Sequence, residues 1–187
     1  MIFWIASYPK SGNTWLRSLL SSYYYSQNGI FSQNLLKKIG QFPEKRHFTD
    51  FNFDCGDITA TSKFWIKAQN NINKDKKLKF FKTHNILGAI NGVNFTNAKN
   101  SIGCIYIVRD PRNVITSIKN HMSISNYEDA MKFISNEDMS LDSSKLKGFD
   151  KKTLEDFQLI QLIGNWKTHY LSWKRFKKNK LLVKYEN

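Results

Sequence analysis

The chain has 187 residues, a formal net charge of +14, and 41% hydrophobic and 14% aromatic side chains. That length holds one domain with a real core and is too short for two of ordinary size, and the composition excludes an intrinsically disordered chain. The basic balance invites a nucleic-acid or membrane partner, but its lysines are scattered, with short clusters at 74–79 and 174–180 rather than one stripe, so a solvated basic surface explains it equally.

Cys55 and Cys104 form neither a metal spacing nor a disulfide framework, and Cys104 sits in an apolar run as a core thiol would. No apolar run reaches the about 18 residues of a membrane span, and the first one is too short to export or anchor the chain. The expectation is a soluble, cytoplasmic protein without a transmembrane segment.

Ile2-Phe3-Trp4-Ile5-Ala6 is a continuous apolar run ended by Tyr8-Pro9, as in a parallel strand buried on both faces. Gly12 lies in the loop that follows, and residues 14–25 carry Trp15, Leu19, Leu20 and Tyr23 at helical spacing. Residues 26–53 are irregular, and 61–71 read as a helix with Phe64, Trp65 and Ala68 on one side. Strands are predicted at 78–82 and 102–108. Asp110-Pro111 ends the second of these, and Pro111 opens a helix to about 122. A helix at 127–134, a loop at 135–149, a long helix at about 153–176 and a last strand at 180–184 complete the chain. Alternating strands and helices give an α/β fold, expected as a three-layer sandwich around a largely parallel sheet, in one domain over 1–187. Ligands of such sheets bind beyond the carboxyl ends of the strands. The loops after Ala6, Phe81 and Val108 are therefore the candidates.

In the first loop, Tyr8-Pro9-Lys10-Ser11-Gly12-Asn13-Thr14-Trp15 leads from strand to helix. Free backbone N–H groups at a helix N-terminus bind phosphate, Gly12 permits close approach, Ser11 and Thr14 add hydroxyls, and Lys10 adds a charge. The usual nucleoside-triphosphate loop needs Gly, four residues, then Gly-Lys-Ser/Thr. Here the lysine precedes the glycine, and no acidic strand end stands out to hold magnesium.

These residues resemble the 5′-phosphosulfate loop of sulfotransferases, Tyr-Pro-Lys-Ser-Gly-Thr-Thr-Trp, departing from it only at Asn13. The third loop, Val108-Arg109-Asp110-Pro111 with Ser117 eight residues after the arginine, resembles the 3′-phosphate motif of the same family. The resemblance implies that the donor is 3′-phosphoadenosine 5′-phosphosulfate (PAPS). It implies Lys10 at the bridging oxygen, Ser11, Gly12, Asn13 and Thr14 on the 5′-phosphate, and Trp15 on adenine. Arg109 and Ser117 would hold the 3′-phosphate, and Tyr185, in a terminal Tyr-Glu-Asn that resembles the family's Tyr-Glu-Asp, would lie near the base.

The second loop, Lys82-Thr83-His84, matches the family segment that carries the catalytic base. An acceptor hydroxyl or amine must lose a proton as it attacks sulfur, and an imidazole suits that step. His84 is the candidate base, Lys10 the group that stabilises the leaving oxygen, and Lys82 a cation for the transferring group. His47, His121 and His169 read as structural or exposed. No metal is required. The expected acceptor is a small molecule or glycan that residues 26–77 and 135–149 help to shape, with no nucleic acid as partner. Family members continue past the tyrosine with further helices and an Arg-Lys-Gly segment, so a C-terminally truncated domain is expected. A catalytically weak binder of PAPS or of the bisphosphate PAP is the alternative, and a basic nucleic-acid binder a further one.

Overall fold

The structure, a computed structural model, describes residues 1–142 and 158–186. Strand β1 (Ile2–Ser7) enters helix α1 (Asn13–Tyr25). Two 3-10 turns, Gln33–Lys38 and Lys45–His47, bracket the short strand β2 (Gly40–Gln41). Helices α2 (Ile58–Ser62) and α3 (Trp65–Ile72) precede β3 (Lys79–Thr83). A hairpin of β4 (Ala89–Ile90) and β5 (Val93–Asn94) leads to β6 (Ser101–Val108), α4 (Pro111–His121) and α5 (Tyr127–Ser135). Strands β7 (Ser140–Leu141) and β8 (Gln161–Leu162), helix α6 (Trp166–Lys174) and β9 (Asn179–Lys184) follow.

The five-stranded sheet has the order β2-β3-β1-β6-β9, and every neighbour is parallel. Its two faces are read off the strand period of two. Trp4, Ala6, Phe81, Cys104 and Tyr106 point to one face, where they pack with Trp65, Ala68 and Trp173 of α3 and α6. Ile5, Phe80, Ile105 and Ile107 point to the other, where Leu16 and Leu20 of α1 cover them. The fold is the expected α/β sandwich with a parallel sheet. Gly103 is required at the sheet's centre: a Cβ there would stand 2.4 Å from Cε2 of Phe3 and 2.9 Å from the Asn179 carbonyl oxygen.

Several elements differ from the sequence reading, among them β2 and β7, which fall in stretches read as irregular or loop. The single helix expected at 61–71 is two helices, because Thr61 and Ser62 turn their hydroxyls back onto the carbonyls of Asp57 and Thr59. The helix expected from 153 starts only at Trp166. Gln161–Leu162 pairs antiparallel with Ser140–Leu141, Gly164 takes φ 59°, and Asn165 caps α6 by accepting from the Thr168 N–H at 2.7 Å. Its first residues, 153–157, lie outside the described residues, as do 143–149 of the expected loop. The β4–β5 hairpin was not anticipated, although Asn91-Gly92, both at positive φ, is the two-residue turn such hairpins favour. No helix among the described residues is long and apolar enough to cross a membrane.

Candidate functional site

The three loops lie side by side because β3, β1 and β6 are parallel neighbours. Gly12, at φ 93°, is the N-cap of α1, and Lys10 bends the loop at φ 63°. Neither angle suits an ordinary residue, and the strain at Lys10 is the kind held at binding loops. The Ser11 hydroxyl is buried and has no hydrogen-bond partner among the described residues. A buried hydroxyl without a partner is a donor waiting for a ligand. Thr14 and Trp15 are exposed on the first turn of α1.

Asn13 points the other way. Its side-chain amide donates to the Ile5 carbonyl at 3.1 Å and to Oγ of Ser7 at 3.1 Å, so it braces the loop against β1.

Arg109 crosses from β6 to the same loop. Its Nη1 donates to the Lys10 carbonyl at 2.9 Å, its Nε is buried without a hydrogen bond, and its guanidinium carbon is 4.5 Å from the Tyr185 ring centre. Tyr185 in turn lies against Gly12 and edge-on to Trp15, with ring centres 6.3 Å apart. Glu186 ties this corner together by accepting from the Asp110 N–H at 2.9 Å and the Asn113 amide at 3.2 Å.

His84 follows β3 and is buried. Its N–H donates to Oε1 of Gln161 at 2.8 Å, and its carbonyl accepts from Nε2 of His169 at 3.0 Å. Its Nδ1 is 2.7 Å from the Ser7 carbonyl oxygen, which can only accept. Nδ1 therefore carries the proton, and Nε2 is left with a free lone pair. Burial, and next the charge of Lys82, hold the His84 pKa well below the ordinary imidazole value. Lys82 faces the α1 side of the sheet. Burial first and Arg17 second bring its ammonium down to about 8, while Glu44 opposes that shift.

A sulfotransferase-domain profile matches residues 2–187. The chain belongs to the sulfotransferase family. A solved structure of retinol dehydratase in a complex with retinol and PAP is similar to this sulfotransferase domain, with a TM-score of 0.51 and 18% identity. The similarity covers 99% of this chain and 54% of that one, so the chain spans about half the length of that protein, and at this identity it speaks for the fold. A search of curated proteins finds no match.

Within the sulfotransferase domain, Lys10, Ser11, Gly12, Trp15, Arg109 and Tyr185 form one cluster, and Lys82 and His84 form a second. Ser7 and Asn13 join the two. Ser117 sits half-buried in the second turn of α4, and no hydrogen bond links it to Arg109 among the described residues. The reading from sequence missed Ser7, Arg17, Glu44, Gln161 and Glu186. Of the histidines read as structural or exposed, His169 is structural, fully buried and bonded to His84, a link the sequence reading did not name. Its signal was the spacing Trp166, His169, Trp173, which lines one face of a helix.

Proposed function

We propose that this chain transfers a sulfuryl group from PAPS to a hydroxyl or amine of a small-molecule or glycan acceptor, and that residues 1–187 act as one domain. The observation that carries this reading is the pair of unsatisfied donors around one loop. Among the described residues Ser11 Oγ and Arg109 Nε are both buried without a hydrogen bond, the nearest carboxylate oxygen to Nε being Oε1 of Glu186 at 4.0 Å, and they flank the N-terminus of α1. Two such donors beside free backbone N–H groups fit a ligand with phosphates at both ends. PAP in the structural neighbour is a ligand of that class.

When bound, PAPS supplies the sulfuryl group, whose sulfur–oxygen bond to phosphate breaks as a new bond to the acceptor oxygen or nitrogen forms. Ser11, Gly12, Asn13 and Thr14 hold the 5′-phosphate with loop N–H groups and hydroxyls. Trp15 and Tyr185 offer aromatic faces to adenine, and Arg109 with Ser117 receives the 3′-phosphate. Lys10 stabilises negative charge on the leaving oxygen, and Lys82 faces the transferring group. His84 takes the acceptor's proton on Nε2, the one ring nitrogen not already bonded. No step calls on a metal.

The test is calorimetry with PAP, using ADP as the control, on the wild type and Arg109→Ala. The expected result is binding that the substitution weakens, with little affinity for ADP. A folded sample that ignores PAP would sink the proposal. His84→Gln should keep PAP affinity and lose sulfuryl transfer by about 10²–10⁴-fold. Full transfer in that variant would remove His84 from the role of base, and PAP binding by the wild type without turnover on any acceptor would make the chain a binder only.

A further inference from the structure

Beyond the base itself, the chain buries a second imidazole against it. His169, on α6, is wholly buried between Tyr8 and Tyr106, with ring centres 5.5 Å and 5.7 Å away. Its Nε2 donates to the His84 carbonyl at 3.0 Å. Its Nδ1 is then bare, and the Tyr106 hydroxyl donates to it at 2.8 Å. Both nitrogens of His169 are thus committed. It has no lone pair for an acceptor's proton.

We infer that His169 is a positioning residue: through the backbone carbonyl of His84 it fixes where the His84 ring points, and it exchanges no proton itself. This rests on the reading of His84 as the base. Ring direction depends on where its backbone is anchored, and His84 is anchored from two sides. Gln161 holds the N–H and His169 the carbonyl, while the Ser7 carbonyl takes Nδ1. With all three in place, the ring is held in one tautomer with Nε2 outward. Without the bond from His169, the buried His84 carbonyl has lost its partner, and the peptide turns to find another. The ring then loses its fixed distance to the Ser7 carbonyl, and with it the preference for a proton on Nδ1. The neighbouring Asn85 carbonyl, held by Nε1 of Trp173 at 2.9 Å, limits the movement to His84 itself. The chain from Tyr106 to His84 consists of neutral groups that polarise one another in the same sense, which strengthens the last bond.

The experiment reads the His84 ring by ¹⁵N–¹H correlation in protein labelled at its four histidines. It compares the wild type with His169→Phe, His169→Leu and His169→Gln at neutral pH. Phenylalanine keeps the aromatic packing and removes the donor, while glutamine keeps an N–H within reach. The wild type should show a single tautomer with the proton on Nδ1. His169→Phe should show a mixture, with the second tautomer at about a tenth or more, and His169→Gln should recover the single form. PAP affinity should stay within about twofold in both, because the phosphate loop keeps its contacts. A folded His169→Phe protein whose His84 signals match the wild type overturns the inference. Should that variant fail to fold, an unchanged His84 spectrum in folded His169→Leu, which also removes the donor, overturns it equally. These readings need no turnover. A shifted tautomer in a protein that binds no PAP would sustain the positioning role and sink the proposed function instead.

Discussion

The guanidinium of Arg109 lies over the ring of Tyr185, 4.5 Å from its centre, while its Nη1 holds the Lys10 carbonyl at 2.9 Å. One side chain thus joins the end of β6, the loop between β1 and α1 and the residue after β9. The planar fork does this at the expense of one nitrogen and keeps Nε without a hydrogen bond.

Replacing Arg109 with lysine should therefore be far from conservative. A point charge neither lays a planar face on Tyr185 nor presents two parallel N–H groups to one anion. The expected loss of PAP affinity is about 10-fold or more, from charge-assisted bonds that contribute about 1.5–3 kcal/mol each. Calorimetry checks it, and equal affinity for the lysine variant would show that charge alone matters.

Gly12→Ala should destabilise the protein for two separable reasons. The residue would sit at φ 93°, and its Cβ would stand 2.3 Å from Cδ2 of Tyr185. The first effect costs about 1–3 kcal/mol. The second is relieved in the double variant Gly12→Ala/Tyr185→Ala. Urea unfolding should show the double variant losing less than the sum of the two single changes, and strict additivity would mean that the ring moves aside freely.

Acid should destabilise the fold well before its carboxylates titrate. His84 is held well below the ordinary imidazole value, His169 at about 4 and His47 at about 3, each chiefly by burial. An unfolded histidine takes its proton near pH ~6.5. Below that pH the unfolded chain binds protons that the native state refuses. The stability these groups contribute is present above pH ~6.5 and lost as pH falls toward 4. Between pH 6.5 and 5 the slope of unfolding free energy should exceed the about 1.4 kcal/mol per pH unit of a single proton. Urea titrations at several pH values in that window measure it, and a flat profile would contradict the burial of these rings.

Lys82 should change protonation when PAPS binds under alkaline conditions. At a pKa of about 8 it is largely neutral at pH 9, and an adjacent sulfuryl group restores its charge. Calorimetry at pH 9 in two buffers of different ionisation enthalpy should show proton uptake that disappears in Lys82→Arg. Identical heats in both buffers would place Lys82 away from the donor.

Much of this was legible in the sequence. The run Ile2–Ala6 is continuous and apolar because β1 is central and buried on both faces, and Pro111 and Asp110 mark the start of α4 just where it begins. The loop residues could be named because strand, glycine turn and helix are contiguous. The links between loops could not. That Asn13 faces inward to Ser7, or that Gln161 and His169 grip His84, depends on which distant residues share a corner of the sheet, and no local pattern records it. Nor does spacing show where α6 begins, since Gly164 and Asn165 decide that by backbone angle and cap geometry.

The grip on the loop after β3 also bears on the order of assembly. His84, Asn85 and Leu87 are bonded to residues 77 to 88 positions later in the chain, contributed by β8 and α6. Contacts of such long range form late, after their loop-closure entropy has been met. The loop therefore has no reason to adopt its shape while the ribosome is still making the segment that holds it. In native-state hydrogen exchange, the amides of His84 and Leu87 should open together with α6, as one cooperative unit with the C-terminal third. His84 belongs in folding to the end of the chain, although in sequence it lies near the middle.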